Sequence, residues 1–359
     1  MTTPTATWRP APANPARTDH RLTAIGWWLL LVAVMILAMV VIGGVTRLTE
    51  SGLSITTWQP IGGIIPPLNG ADWNALFEAY RQSPQYRLVN SGMSLAEFRT
   101  IFWWEYVHRL WGRLIGFAFA VPFAWFLVRR QIPGWLTPRL VMLFVLGGLQ
   151  GVLGWWMVAS GLEDVPWVSP YRLTAHLGLA VLLYAVVLWT AFQCLASRTS
   201  HGAGLRRLAR FSGVSVGLIG VTILAGGFVA GLDAGMIYNT FPTMNGTWLP
   251  PDYVSGAGWR SPFESPAAAQ FNHRWLGLAT LAAVLGLWWH ARRFRLSSRS
   301  QIAYAMSGLM AAVQVGLGVA TLLTQVALPA AATHQAGALL LLSAVLWARF
   351  TLGRGQAAA

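Results

Sequence analysis

Lysine is missing altogether: all 25 basic residues are arginine. Acidic residues are scarce, 11 in 359, and charged residues of both signs make up only 10% of the chain. A soluble domain carries about 25%, so too little polar surface exists here to face water on all sides. Cysteine occurs once, as Cys194, which excludes a disulfide scaffold. Disorder is excluded from the other direction by 20 Trp, 16 Phe and 55% hydrophobic residues. With a mean hydropathy of +0.52, what remains is an all-α polytopic membrane protein.

A formal net charge of +14 invites a nucleic-acid reading. A phosphate-binding surface concentrates its basic residues on one face or in one domain. Here the arginines fall in small clusters between apolar runs, so they report topology, and no nucleic-acid partner is implied. Eight stretches are long enough to cross a bilayer as helices: about 24–46, 107–128, 140–160, 173–196, 211–231, 274–291, 302–325 and 333–350. The tail 1–23, the connections 129–139, 197–210 and 292–301, and the end from Arg349 together hold 16 of the 25 arginines and one acidic residue, Asp19. The positive-inside bias puts these segments, and both termini, on the cytoplasmic side of the membrane. The first 23 residues lack a small-x-small exit after the apolar run and read as a cytoplasmic tail rather than a cleaved signal.

Two outer loops are long, 47–106 and 232–272. The first holds two expected helices, Ala71–Ser83 and Ser94–Tyr106, with Ser94 and Glu97 spaced as a capping box.

The chain repeats itself once. LGGLQGVLG at 146–154 parallels MAAVQVGLG at 310–318, aligning Gln150 with Gln314, and TAHLGLAVLL at 174–183 parallels ATHQAGALLL at 332–341. EYVHRLWGRLIG at 105–116 parallels QFNHRWLGLATL at 270–281, and IGGVTRLTESGL at 42–53 parallels AGGFVAGLDAGM at 225–236. The expected organisation is a tail 1–23, an N-terminal four-helix half 24–200, a C-terminal four-helix half 201–352 and a tail 353–359. An even number of helices per half gives both the same orientation, as two tandem bundles related by a pseudo-two-fold along the membrane normal.

Four of the seven histidines belong to the repeat: His108, His176, His273 and His334. Each is expected within the first turn or two of an even-numbered helix, so all four share a depth near the outer face. Two imidazoles at one level on parallel helices suit axial ligation of a haem plane within a four-helix bundle. Gly178, Gly277 and Gly337 are the candidates for close backbone approach by a macrocycle. A single histidine at such a place is usually just interfacial; four at matched places, near membrane depth, point to function. Zinc wants three or four clustered ligands, and the chain has one Cys.

Glu105 lies one turn before His108, whereas Gln270 holds the matched place before His273. A carboxylate beside one couple only suggests chemistry in one half and electron transfer in the other. The alternative is simple pairing of Glu105 with Arg109 or Arg113. Arg109 and Arg274 directly follow their histidines and are candidate propionate contacts, with snorkelling to the interface as the alternative.

GGVTRLTESGLSITTWQPIGGIIPP at 43–67, WWEYVHRLWGRLIG at 103–116, the Gln150 segment, TAHL at 174–177, FNHRWLG and THQAGALLL together resemble the haem A synthase family, in its proteobacterial and mitochondrial branch. The likeness runs from about 24 to 350; the cysteine pair that some members carry in an outer loop is absent. The resemblance implies an eight-helix membrane oxidoreductase that converts haem O to haem A for cytochrome oxidase. It oxidises the C8 methyl to a formyl by successive hydroxylations. It further implies that His108 and His176 flank substrate haem O with Glu105 near the methyl, as base or as charge stabiliser. His273 and His334 would ligate a haem b cofactor, with all four imidazoles toward the periplasmic side of a bacterial cytoplasmic (inner) membrane. Haem O synthase and cytochrome oxidase assembly factors are the candidate partners besides the lipid bilayer, and a homo-oligomer is a candidate assembly. Two other classes stay in view: a di-haem b electron-transfer protein, against which the Glu105/Gln270 difference counts, and a transporter, which usually carries charged groups or broken helices at the midplane.

Overall fold

The computed structural model describes residues 20–58, 62–163, 165–196, 205–254, 256 and 258–352. The two expected tails, apart from residues 20–23, and the boundary between the halves at 200/201 lie outside the described residues. Those described form eleven α-helices joined by loops and three short 3-10 turns, with no β-sheet among them.

Seven helices among the described residues are long and apolar enough to cross a membrane. They are α1 (His20–Leu48), α4 (Leu95–Val128), α5 (Thr137–Ala159), α6 (Pro170–Leu195), α7 (Leu205–Gly231), α10 (Ser298–Leu323) and α11 (Leu328–Thr351). The protein is therefore a polytopic membrane protein. The expected stretch 274–291 lies in α9 (Pro266–Ala291), which packs along α7 and α10. Its opening turns carry Gln270, Asn272, His273 and Arg274, which dilute its apolar content.

Proline near the start opens α5, α6, α9 and α11, where its missing N–H is not needed. The segment Ser94–Tyr106 is not a separate outer helix: it is the opening of the 34-residue α4. The Ser94 capping box forms as expected, and no Gly or Pro between Leu95 and Trp111 interrupts the helix that follows. The other outer helix is α2 (Gly70–Arg81), followed by a short α3 (Pro84–Leu88). α1 begins at His20, four residues ahead of the expected 24, because His-Arg-Leu-Thr contains no helix breaker.

Contacts run in two cycles. α1 packs on α4 and α6, and α5 on α6 and lightly on α4; α7 packs on α9 and α11, and α10 on α9 and α11. The cycles meet through α6 against α7 and α11, and α1 against α11. Ile25, Leu29, Val32 and Ile36 line one face of α1 at helical spacing. They share a core with Val181, Tyr184, Val187 and Leu188 of α6 and Leu342 and Val345 of α11. Lipid is as apolar as leucine, so close fit and hydrogen bonds must hold such helices together. The Tyr184 and Ser343 hydroxyls meet at 2.7 Å across the junction of the cycles, and Arg47 reaches Asp233 at 2.7 Å.

Pro122 inside α4 cannot donate to the carbonyl of Ala118. The Trp28 indole N–H of α1 does so instead, at 2.7 Å.

Outside the main core, Trp73 and Tyr80 of α2 pack on Phe98, Phe102 and Tyr106 of α4, forming a second apolar cluster around the N-terminal turns of α4. The Tyr80 hydroxyl donates to Gln85 Oε1 at 3.1 Å and accepts from Asn90 at 2.7 Å. Burial pushes its phenol above the ordinary tyrosine range.

Candidate functional site

Each of the four repeated histidines faces a glycine on a neighbouring helix. A Cβ built on Gly43 of α1 would stand 3.2 Å from His108, and one on Gly154 of α5 would stand 3.1 Å from His176. In the second cycle, Gly226 of α7 and Gly318 of α10 would bring a Cβ to 3.0 Å from His273 and 2.9 Å from His334. Gly43 aligns with Gly226 and Gly154 with Gly318 in the repeat, so the same clearance is made twice in each half. None of the four imidazoles is exposed. His176, His273 and His334 lie in the opening turns of α6, α9 and α11, as expected. His108 does not: α4 begins at Leu95, well before it, because the N-terminal turns of that helix pack into the second apolar cluster.

The His273 and His334 rings stand 6.3 Å apart between centroids and at 86° to one another. A first-row metal held at about 2 Å by one nitrogen of each ring would separate the centroids by roughly 6 Å. His273 Nδ1 lies 3.1 Å from the Thr222 carbonyl. A carbonyl only accepts, so the ring proton is on Nδ1 and the Nε2 lone pair is left for a ligand. This couple fits an axial pair of haem ligands. Among the described residues, no three of His, Cys, Asp and Glu gather as a metal site, so no closed zinc set is built from them.

The residues one turn before and directly after two of these histidines hold the two long loops. Glu105 is 2% exposed. Its Oε2 accepts from the Ser54 hydroxyl at 2.8 Å and the Ile55 N–H at 2.7 Å, and its Oε1 accepts from Arg109 Nη2 at 2.6 Å and Nε at 3.0 Å. Arg109 also donates to the carbonyls of Ile55 at 2.7 Å and Thr57 at 2.9 Å. On α9 the pattern recurs with an amide in place of the carboxylate. Gln270 donates to the carbonyls of Ala234 and Ile237 and accepts from Arg274 at 3.0 Å. Arg274 in turn donates to the carbonyls of Tyr238, Thr240 and Thr243. The expected pairing of Glu105 is thus with Arg109. Both arginines, the candidate propionate contacts, are committed largely to loop carbonyls.

Residues 26–346 match the model of the COX15-CtaA family, described as cytochrome oxidase assembly protein. The chain belongs to this family. Haem A synthase of Nitrosospira multiformis is 48% identical over 95% of this chain and 97% of its own length. Haem A synthase of Rhodospirillum centenum is also 48% identical, over 93% and 90%. Haem A synthase COX15 of Bos taurus is 44% identical, over 93% of this chain and 82% of its own.

In this member of the COX15-CtaA family, two of the three glycines expected to admit a macrocycle do something else. A Cβ on Gly178 would press on Leu224 of α7 at 2.9 Å, and one on Gly337 would collide with the Gln314 side chain. Both are filled helix–helix contacts; Gly277 alone faces open space. The working glycines are Gly43, Gly154, Gly226 and Gly318. Their signal was in the sequence, because each ends or opens a repeated segment, but the helix that would face each histidine was not. Gln150 and Gln314 likewise gain a partner: their Nε2 atoms donate to the carbonyls of His176 at 3.0 Å and His334 at 2.9 Å. Ser54, which holds Glu105, carried no sequence signal.

Proposed function

We propose that this chain is a haem A synthase, a membrane oxidoreductase that takes haem O to haem A for cytochrome oxidase. The observation that carries the reading is the pair of matched histidine sites that differ at Glu105 and Gln270. One is neutralised and anchored by a carboxylate; the other is built for ligation and carries none. The names of the relatives agree with it. In this reading the eight helices, α9 included, form two bundles related by a pseudo-two-fold along the membrane normal. The matched contacts of Gly43 with Gly226 and of Gly154 with Gly318 support that relation. Both termini are cytoplasmic and the histidines lie toward the periplasmic side of the bacterial inner membrane.

His273 and His334 would hold haem b, which supplies electron transfer when bound. Arg274 keeps a buried Nε–H with no hydrogen-bond partner, and this donor suits a propionate. A small cavity of about 30 Å³ lies beside it, lined by Phe241, Met244, Phe271 and Leu278 among others. On Arg109 every nitrogen is already engaged, which leaves it less to offer.

His108 and His176 would flank substrate haem O. What favours the first cycle for an exchanging substrate is its α4–α5 side: α5 packs only lightly on α4, whereas the matched α9 and α10 pack closely. Taking the C8 methyl to hydroxymethyl and then to the hydrated aldehyde requires, at each step, either water with an outside two-electron acceptor or dioxygen with an outside two-electron donor; loss of water then leaves the formyl. Glu105 would serve as a fixed negative charge beside the carbon that becomes electron-poor. The donors on both its oxygens favour that role over free movement as a base.

Pigment extraction with mass analysis tests the reading. Cells lacking this gene should accumulate haem O and contain no haem A, and the restored gene should reverse this. Unchanged haem A in the deletion would refute it.

A further inference from the structure

We propose that Gln314 is a positioning residue for His334: its side-chain oxygen takes the Nδ1 proton when that imidazole holds haem iron through Nε2. This rests on the reading that His273 and His334 are the haem b ligands. Gln314 Nε2 donates to the His334 carbonyl at 2.9 Å and lies 3.1 Å from His334 Nδ1. An amide nitrogen has only protons to offer, so the Nδ1 facing it is an acceptor and the ring proton sits on Nε2. That is the wrong tautomer for ligation through Nε2, whereas His273 already has the right one against the Thr222 carbonyl.

The group that resolves the mismatch is beside it. Gln314 Oε1 is buried with no hydrogen-bond partner, an oxygen kept dry and unused. Gly337 on α11 makes its room, since a Cβ there would collide with it. A turn of the amide that also draws it off the His334 carbonyl, an acceptor like itself, places this oxygen on Nδ1 and lets the ring proton move there. The His334 carbonyl lies inside α11 and keeps its helical partner meanwhile. The first cycle repeats the arrangement. Gln150 Nε2 lies 3.0 Å from the His176 carbonyl and 3.2 Å from Nδ1, and Gln150 Oε1 is also buried without a partner. One glutamine per half, each on the second histidine of its couple, is the pattern of an outer partner that orients a ligand.

The test uses the full-length protein purified with its haem and reads haem b retention and midpoint potential. Q314L removes the acceptor and should weaken haem retention by about 10–100-fold, the usual cost of losing an outer partner, and raise the potential. Q314E offers Nδ1–H a charged oxygen, so it should keep the haem and lower the potential. G337A, which displaces the amide without changing it, should follow Q314L, and Q150L should leave the haem b potential at the wild-type value. Opposite shifts in Q314L and Q314E are not what a packing role gives. Shifts in the same direction, or none in either, overturn the proposal. If either Gln314 variant fails to fold by circular dichroism, G337A decides, and a wild-type potential in it is the overturning result. A wild-type protein with no bis-histidine haem would instead overturn the ligand assignment beneath it.

Discussion

Glu105 and Arg109 are joined at 2.6 Å one turn apart on α4, with His108 between them in sequence, and both hold the backbone of Ile55. Gln270 and Arg274 bracket His273 in the same way on α9. The two sites therefore share a clamp and differ in its charge: a compensated ion pair in one, an arginine with an amide in the other. That difference separates the variants at Glu105 from those at the second couple.

E105A should retain the low-spin haem b spectrum while product formation falls below detection. E105Q keeps the loop bonds in part and should lose less of the fold but as much of the activity. Normal haem A from E105Q would remove the charge from the mechanism and leave Glu105 a loop anchor.

The histidine variants act on the other half. H273A and H334A should each abolish the bis-histidine haem b absorption, and H108A and H176A should not. Retention of that absorption in both of the first pair would end the cofactor assignment.

The glycines predict a graded effect. G226A and G318A place a methyl group 3.0 and 2.9 Å from the imidazole edges of His273 and His334, so those rings must give way. Haem b retention should drop by about tenfold in each. G43A and G154A should leave haem b at its wild-type level and lower haem A output, read by pigment analysis. An identical loss of haem b from all four would contradict the division between the halves.

A stability prediction is independent of the site. W28F leaves the half-buried Ala118 carbonyl without its indole donor, at a cost of about 1 kcal/mol in detergent unfolding. Adding P122A restores a backbone N–H to that carbonyl, so W28F should cost far less in the P122A background. Equal costs in the two backgrounds would show that the indole contributes by packing alone.

Much of this was legible in the sequence because membrane helices and tandem repeats leave long-period signals. The apolar runs located the spans, and the repeat picked out the four histidines and the Glu105/Gln270 difference without any knowledge of packing. Boundaries were less legible: α4 begins at Leu95, well ahead of the apolar run, and its first turns, rich in Phe and Trp, read equally well as a separate helix. Contacts between helices were not legible at all. Gly178 and Gly337 looked as free as Gly226 and Gly318 until neighbouring helices brought Leu224 and Gln314 onto them. Trp28 and Pro122 are 94 positions apart, and nothing local ties them.

α4 carries the loop clamp and an imidazole on a single rigid turn, so the two cannot move independently. Glu105 and Arg109 grip residues 54–57 from that turn, so the loop segment and the His108 imidazole share one foundation. A substitution that shifts this turn of α4 displaces both.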